Sequence, residues 1–464
     1  MEREQDKQQN KMGVLPINKL LLSMALPMMA SMLVQALYNI VDSIFVSKIS
    51  EDALSAVSLA FPVQTFMIAI GSGTGVGINA YLSRSLGENN RRNVNRAATN
   101  GIMLVFISAL IFIIFGLFFV RMFFDGQSAD NPEIIEYGVS YLSICSVLSF
   151  ALFGQMTFER LLQSTGKTFY AMITQGTGAI INLILDPILI FGLYGFPEMG
   201  VAGAALATVA GQIIAMGLAI YFNLKKNKEI NFSFKRFRPH LKTIKTIYSV
   251  GVPSILMMSI GSIMTFGINQ ILISFSSTAV AVFGVYFKIQ SFVFMPVFGL
   301  NNGMIPIVAY NYGALNKERI LKTIRLAVIY AVSIMVVGFI VFQTCTEWLL
   351  QLFDASDEML QIGVPALRTI SMSFIPAGFC IIIISVFQSF GRGVISLIIS
   401  VIRQLVILLP TAFLLSFLCE GNYVAPIWFA FPIAEVSAVV LSVLFFIKIH
   451  KTVIKPLGKT ENAV

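Results

Sequence analysis

Apolar stretches of about 20 residues recur along the whole 464-residue chain. A helix of about 20 apolar residues crosses the roughly 30 Å hydrocarbon layer of a bilayer. Because a backbone in lipid must satisfy its own hydrogen bonds, stretches of this length are helices rather than barrel strands. Charged residues make up only 12% of the chain, about half of the share that covers a soluble domain. The sequence therefore predicts an all-α polytopic membrane protein and excludes a soluble enzyme, a nucleic-acid-binding module and a disordered chain.

Twelve transmembrane helices are predicted from these stretches. Their bounds are near 20–46, 53–82, 98–120, 135–159, 169–194, 199–223, 246–274, 279–309, 323–349, 359–389, 394–418 and 423–447. The 32 Lys and Arg residues exceed the 23 Asp and Glu residues, and they concentrate in every second loop and near both ends of the chain. Basic loops stay in the cytoplasm, so we expect a multi-pass protein of the cell membrane with both termini in the cytoplasm. The charge excess is thus an orientation signal, and nucleic acid is not an expected partner.

The two halves of the chain repeat each other at an offset of 226 residues, and later of 225. The coinciding pairs include Pro27/Pro253, Phe61/Phe287, Gly73/Gly299, Gly77/Gly303, Gly87/Gly313 and Asn90/Asn316. We predict an N-terminal six-helix lobe over residues 1–224, a basic cytoplasmic linker over 225–245 and a C-terminal six-helix lobe over 246–464. Six crossings give both lobes the same polarity, so their pseudo-twofold axis lies along the membrane normal.

Few charged residues lie inside the predicted spans, because each costs about 2.5–3.5 kcal/mol at mid-bilayer. Asp42 ends a polar stripe in the first span, and Asp186 ends a similar stripe in the fifth. A carboxyl group that is buried beside another acid can load a proton on one side of the membrane and release it on the other. We predict that Asp42 and Asp186 bind a coupling ion. The side chains that would orient them are Tyr38, Asn39 and Asn182.

The coupling ion stays open between a proton and sodium. If it is sodium, the metal ligands would be Asp42, Asp186 and Asn182, and no other cofactor is expected. The alternative interpretation is that the polar stripes only tie helices together through hydrogen bonds. Glu159 lies on a third stripe near the cytoplasmic end of the fourth span, where it takes part in function, pairs with Arg160 or sits at the interface.

The C-terminal half lacks both aspartates, since Ile268 and Thr411 stand at the equivalent positions. Any coupling driven by carboxylates is therefore expected in the first lobe. The second half instead carries Lys288, Arg403 and Glu435 inside its spans. We interpret these residues as bracing the lobe, with Glu435 as the candidate partner of the cations.

Two short motifs resemble phosphate-binding loops but lack the required context. The glycine run at 71–77 lies inside the second span, where closely spaced small residues let helices approach each other. Gly166-Lys167-Thr168 resembles the end of a P-loop, but the position of its first glycine is occupied by Leu161. ATP is therefore not an expected partner.

Two six-helix bundles that face each other leave a central cleft, and rocking about this cleft would give alternating access. Flexible methionine and aromatic side chains suit varied apolar cations. The candidate cleft residues, which lie on equivalent helices of the two halves, are Gln64, Met67, Gln290, Phe292 and Met295.

Three motifs carry a family resemblance. They are Tyr38-Asn39-Ile-Val-Asp42 in the first span, Asn182-Leu-Ile-Leu-Asp186-Pro187 in the fifth, and Glu159-Arg160-Leu-Leu-Gln163-Ser164-Thr165-Gly166 after the fourth. With the twelve-span duplication, they resemble the multidrug and toxic compound extrusion (MATE) family over nearly the full chain, and Glu159 resembles its MepA-like bacterial branch. The resemblance implies a secondary active transporter, not an enzyme, that exports organic cations, many of them drugs or dyes, in exchange for protons or sodium.

The same resemblance implies roles for individual residues. Asp42, Asn182 and Asp186 would take the coupling role, and Glu159 would help to bind a cationic substrate. Some family members also carry acids in the second lobe, whereas this chain offers only Gly267, Asn269 and Gln270 in its seventh span. We expect a monomer in the bilayer that contributes to antibiotic resistance through multidrug efflux.

Two other functions stay open. A lipid-linked saccharide flippase of the same exporter superfamily would need a cationic cleft for phosphate, to which Lys288 and Arg403 could contribute. An intramembrane enzyme is disfavoured, because the chain has no HExxH motif and both of its histidines, His240 and His450, lie in basic loops.

Overall fold

The computed structural model describes residues 10–127, 131–232, 238–419 and 424–457. Within these ranges the chain is helical and contains no β-strand. The helices of the first half are α1 Lys11–Val14, α2 Ile17–Ser47, α3 Glu51–Gly87, α4 Arg91–Phe118, α5 Val120–Asp125, α6 Pro132–Val147, α7 Phe150–Ser164, α8 Thr168–Phe191 and α9 Gly200–Lys226. Those of the second half are α10 Leu241–Ile273, α11 Ser277–Gly313, α12 Lys317–Thr344, α13 Thr346–Gln351, α14 Asp357–Ser371, α15 Phe374–Ser389, α16 Gly393–Val401, α17 Leu409–Ser416 and α18 Ala430–Ile449.

Ten helical segments in the described residues are each long and apolar enough to span a membrane, with α16 and α17 counting as one segment through a π-helical turn at Ile402–Leu408. Two further pairs qualify only together. The α6/α7 pair is bent by 44° and the α14/α15 pair by 46°. With each bent pair counted as one span, the number reaches the twelve that the sequence predicts.

The bends lie within the fourth and tenth spans, which the sequence predicts over 135–159 and 359–389. They fall at Leu148–Ser149, which has no proline nearby, and at Met372–Ser373, where Pro376 lacks the N–H that would bond the carbonyl of Met372. At the second bend the hydroxyl of Ser373 donates to the carbonyl of Ile370 at 2.6 Å, so the side chain competes with the helical backbone ladder. Both lobes bend at the equivalent place.

The internal repeat extends to the helix ends. Three helices of the first half, α3, α4 and α5, begin and end 226 residues before α11, α12 and α13. The N-caps match as well, because Ser50 and Ser276 each accept a backbone N–H, as do Asn90 and Asn316. The sequence repeat thus corresponds to two lobes of the same architecture. The predicted linker 225–245 overlaps the non-helical residues 227–232 and 238–240, and its residues 233–237 lie outside the described ranges.

We call the side that carries the loops 88–90, 165–167, 227–232 and 314–316 the basic face. The ends of α3 and α11 meet there across the pseudo-twofold axis. A Cβ added to Gly87 would lie 1.9 Å from the carbonyl oxygen of Tyr310, and one added to Gly313 would lie 2.1 Å from that of Arg84. Glycine, which has no Cβ, lets the two backbones approach this closely.

The first helix of each half packs on the second helix of the other half. Gly299 and Gly303 of α11 lie against the α2 backbone at Met29 and Ala25, and Gly77 of α3 lies against the carbonyl of Ile247 in α10. These contacts confirm the packing role predicted for the glycines, and they lie in the halves of the helices next to the basic face. The lobes are therefore in contact at the basic face.

Candidate functional site

Asp42 and Asp186 come together inside the N-terminal lobe. Each lies five residues before the end of its helix, α2 or α8, on the side away from the basic face. Asp186 is fully buried and Asp42 is partly buried. The two carboxyl groups lie within hydrogen-bonding reach of each other. Since an ionised carboxylate only accepts, a hydrogen bond between them requires a proton on at least one.

The predicted stripe of α8 is the buried face of that helix, and it connects the acids to α9. The Asn182 side-chain amide donates to Asp186 Oδ1 at 3.3 Å and to Thr208 Oγ1 at 3.2 Å. The phenol of Tyr38 lies within electrostatic range of both carboxyl groups. The side chain of Asn39, also predicted to orient the acids, lies outside the described part of the chain.

Three buried oxygens of this cluster have no hydrogen-bond partner among the described residues: Asp42 Oδ1, Asn182 Oδ1 and Asp186 Oδ2. An unsatisfied buried acceptor costs about 1–3 kcal/mol, so such atoms mark a place where a proton or a cation would be stabilised. Hard cations prefer oxygen ligands of this kind. In the ranges that the structure covers, no three His, Cys, Asp or Glu side chains converge on one metal position. A sodium site here would therefore combine two carboxylates with an amide oxygen.

A cavity of about 250 Å³ reaches Asp42 between α2 and α3. It lies near the end of α2 and the beginning of α3, opposite the basic face. Its lining consists of Asp42, Val46, Leu54, Val57, Ser58 and Phe61. Asp42 is thus the member of the pair that an ion can approach from that side, while Asp186 is buried behind it.

Sequence reasoning missed two polar residues of this site, Tyr141 and Thr208. The Tyr141 hydroxyl accepts from Gln64 Nε2 at 3.1 Å and lies within electrostatic range of Asp42. Thr208 is the only serine or threonine of α9, which is the one signal that could have singled it out. Tyr141 stands between Ser140 and Leu142 in α6, and nothing in that stretch singles it out as facing Asp42.

The candidate cleft residues of α3 make contacts inside the N-terminal lobe. Gln64 connects α3 to α6 inside the N-terminal lobe through its bond to Tyr141. Met67 is buried and packs in a core cluster with Phe112 and Phe153. The α3 face that carries them packs within its own lobe in this conformation, and a role of either residue in substrate binding stays a prediction. On α11, Gln290 and Met295 are half-buried and Phe292 is exposed.

Glu159 is buried among neutral donors. Its carboxylate accepts from Gln155 Nε2 at 3.0 Å, Thr174 Oγ1 at 3.1 Å and Gln175 Nε2 at 2.8 Å. Arg160 Nη1 donates instead to Gln163 Oε1 of its own helix at 2.9 Å. It also donates across the lobe boundary to Asn302 Oδ1 at 3.0 Å. The alternative that Glu159 and Arg160 form an ion pair is therefore wrong for this conformation.

The C-terminal lobe holds an ion pair inside its membrane spans. Arg403 Nη1 lies 2.8 Å from Glu435 Oε1, which confirms the partner expected for this arginine. Lys288 is exposed on α11, with its ammonium 6.0 Å from the centre of the Phe353 ring. In the seventh span, Gly267 faces the side chain of Leu409, Asn269 is half-buried and Gln270 is exposed.

Comparison with known proteins agrees with this architecture. The MatE family model matches residues 27–188 and again 253–414, once in each half. The multidrug export protein MepA of Staphylococcus haemolyticus is 28% identical over 402 residues, covering 86% of this chain and 87% of the relative. A second relative, the FAD transporter of Shewanella oneidensis, is 27% identical over 409 residues, covering 87% of this chain and 89% of its own.

Solved structures share the fold over almost the entire chain. A multidrug resistance MATE family transporter of the MOP superfamily, in an outward-facing conformation, matches with a TM-score of 0.89 at 26% identity, covering 96% of this chain and 98% of its own. A MOP superfamily transporter from Pyrococcus furiosus matches with a TM-score of 0.89 at 26% identity, covering 97% of this chain and 99% of its own. Reverse polarity of its binding pocket suggests a different function for that protein. This chain belongs to the MatE family of membrane transporters, the multidrug and toxic compound extrusion (MATE) family.

Proposed function

We propose that this transporter is an antiporter that exports organic cations by alternating access and is driven by inward movement of protons or sodium. The observation that carries the proposal is the pair formed by Asp42 and Asp186, with three buried oxygens that lack partners and one acid open to a cavity. We place the protein in the cell membrane with the basic face and both termini in the cytoplasm, because basic loops stay on that side.

The coupling ion would act by neutralising the aspartate pair. From the outer side, a proton or sodium ion reaches Asp42 through the cavity between α2 and α3 and binds between the two acids. A proton would be shared by the two carboxyl groups, whereas sodium would be held by Asp42, Asp186 and Asn182. Coupling requires that ion and drug prefer different conformations, since a ligand with equal affinity for both shifts nothing.

The substrate class rests on the relatives and on charge. MepA proteins are multidrug export proteins, and an organic cation is attracted by a lobe that contains Glu159, Asp42 and Asp186. Glu159 would contribute through its negative charge, because its carboxylate is buried behind Gln155 and Gln175 in this conformation. We expect the transporter to work as a monomer.

An anionic substrate is the second candidate. A relative of similar identity is an FAD transporter, and FAD carries phosphates, as a lipid-linked saccharide does. The exposed Lys288 on α11 favours this candidate. Arg403 does not, because its charge is already paired with Glu435. This difference makes the lipid-linked saccharide flippase, which would need both cations, the weaker form of the alternative.

Transport in proteoliposomes with one gradient imposed at a time tests the proposal. We expect a proton or a sodium gradient to drive ethidium exchange, and Asp42→Asn to abolish the dependence on that gradient. Asp125→Asn, an exposed acid at the end of α5, is the matched control and should leave transport unchanged. Undiminished gradient-driven exchange by Asp42→Asn would refute the coupling site, and transport of FAD without ethidium would refute the cationic substrate.

A further inference from the structure

The chain before the first membrane helix crosses the boundary between the two lobes at the basic face. We call residues 10–15, which include the short helix α1, the latch. Its side chains contact the N-terminal lobe and the linker, while its backbone carbonyls are bound by the C-terminal lobe. These contacts lie beside the place where α3 and α11 meet through Gly87 and Gly313.

On the N-terminal side, the latch is held by Asn10 and Lys11. The Asn10 amide donates to the carbonyl of Thr165 at 3.1 Å and to Glu229 Oε1 of the linker at 3.2 Å. The same carboxylate lies 3.5 Å from Lys167 Nζ. Burial, together with the Lys167 ammonium, lowers the pKa of Lys11 below its ordinary value, and Glu229 opposes this shift. The latch therefore sits on a small charge cluster of the first lobe and the linker.

On the C-terminal side, one arginine binds two carbonyls of the latch. Arg319 Nη2 donates to the carbonyls of Met12 and Leu15, both at 2.9 Å, and Arg319 Nε donates to Asn311 Oδ1 at 3.0 Å. The Asn311 amide in turn donates to the carbonyl of Met12 at 3.2 Å. Charge-assisted bonds of this kind are the stronger class of hydrogen bond in proteins.

The centre of the latch is buried. Met12 has no exposed surface, although it lies outside the membrane helices. An added Cβ on the neighbouring Gly13 would lie 3.1 Å from the ring of Tyr310, so a larger residue at that position requires this ring to shift. A terminal segment that merely ran over the surface would not be buried and bound from both sides in this way.

We propose that the latch holds the basic face closed and must leave its seat before the two lobes can separate there. Opening of the basic face pulls Thr165 and Glu229 away from Asn311 and Arg319, and the latch cannot stay bound to both sets. Arg319 is therefore a positioning residue that sets the equilibrium between the two conformations of the transporter. The proposal does not depend on which ion or substrate is carried.

Labelling of Met12→Cys measures release of the latch. The four native cysteines are replaced by alanine, and the purified protein in nanodiscs is treated with a maleimide. We expect Arg319→Gln to raise the labelling rate about tenfold or more, because two charge-assisted bonds are lost. Arg319→Lys should be intermediate, since an ammonium can still donate to the carbonyls but lacks the second guanidinium nitrogen that donates to Asn311. Arg325→Gln, an exposed arginine on the same helix, is the control and should label as slowly as the parent.

A distance between the lobes tests whether release is coupled to opening. Spin labels at Arg92→Cys on α4 and Lys322→Cys on α12, both exposed near the basic face, report on the separation of the lobes by double electron–electron resonance. We expect Arg319→Gln to increase the population of longer distances. Met12→Ser, which leaves Arg319 intact, should shift the population in the same direction and guards against a folding defect of the arginine variant.

Two results would overturn the proposal. Faster labelling with unchanged distances would mean that the segment only anchors the terminus. Unchanged labelling and unchanged distances would mean that Arg319 does not hold the segment. Both measurements are made without a gradient or a drug, so they stand apart from the transport assay of the coupling ion.

Discussion

At the scale of single residues, buried charge in this protein follows two different solutions. In the C-terminal lobe Arg403 and Glu435 neutralise each other at 2.8 Å. In the N-terminal lobe Glu159 has three neutral donors, and the nearby Arg160 is directed to Asn302 in the other lobe. Hydrogen bonds to neutral donors keep the net negative charge of the lobe, whereas an ion pair removes it. The neutral donors around Glu159 suit the cationic substrate that we propose for this transporter.

Substitution of Glu159 separates the role of its charge from that of its hydrogen bonds. Gln175 Oε1 is buried and has no partner among the described residues, so the Gln175 amide can rotate to accept from the new amide in Glu159→Gln. We expect this variant to keep its free energy of unfolding within about 1 kcal/mol. Glu159→Leu leaves the three donors without an acceptor, so its free energy of unfolding should fall by about 3 kcal/mol or more.

Titration with SDS in mixed micelles measures both free energies of unfolding. Glu198→Leu, at an exposed position in the loop before α9, is the control and should change little. If both Glu159 variants lose the same free energy of unfolding, the negative charge itself, and not the three hydrogen bonds, stabilises this part of the lobe.

At the scale of helices, glycine decides how closely the lobes approach. The ends of α3 and α11 touch through two symmetric glycines whose Cβ positions fall on backbone carbonyl oxygens. A backbone atom cannot rotate away as a side chain can, so the two helices must separate if either glycine gains a side chain. The repeat thus places the same requirement on both halves of the chain.

Alanine at these glycines should weaken closure of the basic face. For Gly87→Ala and Gly313→Ala we expect lower melting temperatures in detergent and longer distances between the labelled α4 and α12. Gly217→Ala in α9, where no atom lies within 4 Å of an added Cβ, is the matched control. This control should be neutral or stabilising by about 0.5–1 kcal/mol, because alanine orders a helix better than glycine. An unchanged melting temperature for both interface variants would contradict the close contact of α3 with α11.

At the scale of the whole molecule, features fixed by the bilayer could be predicted and features fixed by packing between helices could not. The spans, the repeat and the burial of Asp186 follow from the cost of placing polar groups in lipid. The orientation of Gln64 and the burial of Met67 depend on which face of α3 turns toward its own lobe, and both faces of that helix are apolar. Tyr141 was missed because nothing in the surrounding sequence of α6 marks the face that turns toward Asp42, and the bends were missed because the predicted spans continue through both breaks.

The first helix of each half packs on the second helix of the other half. This packing predicts that neither half folds completely by itself. Since α2 packs on α11 and α10 packs on α3, each half alone exposes a helix face that the other half covers. A chain divided after Lys235 should therefore assemble when both pieces are co-expressed, and an affinity tag on the first piece should recover the second. Each piece expressed alone should aggregate or be degraded. A division after Gly299, inside α11 at the lobe boundary, is the control that should fail to assemble. If either half proves monodisperse and resistant to heat alone, the lobes are independent domains and their packing cannot be what stabilises the closed basic face.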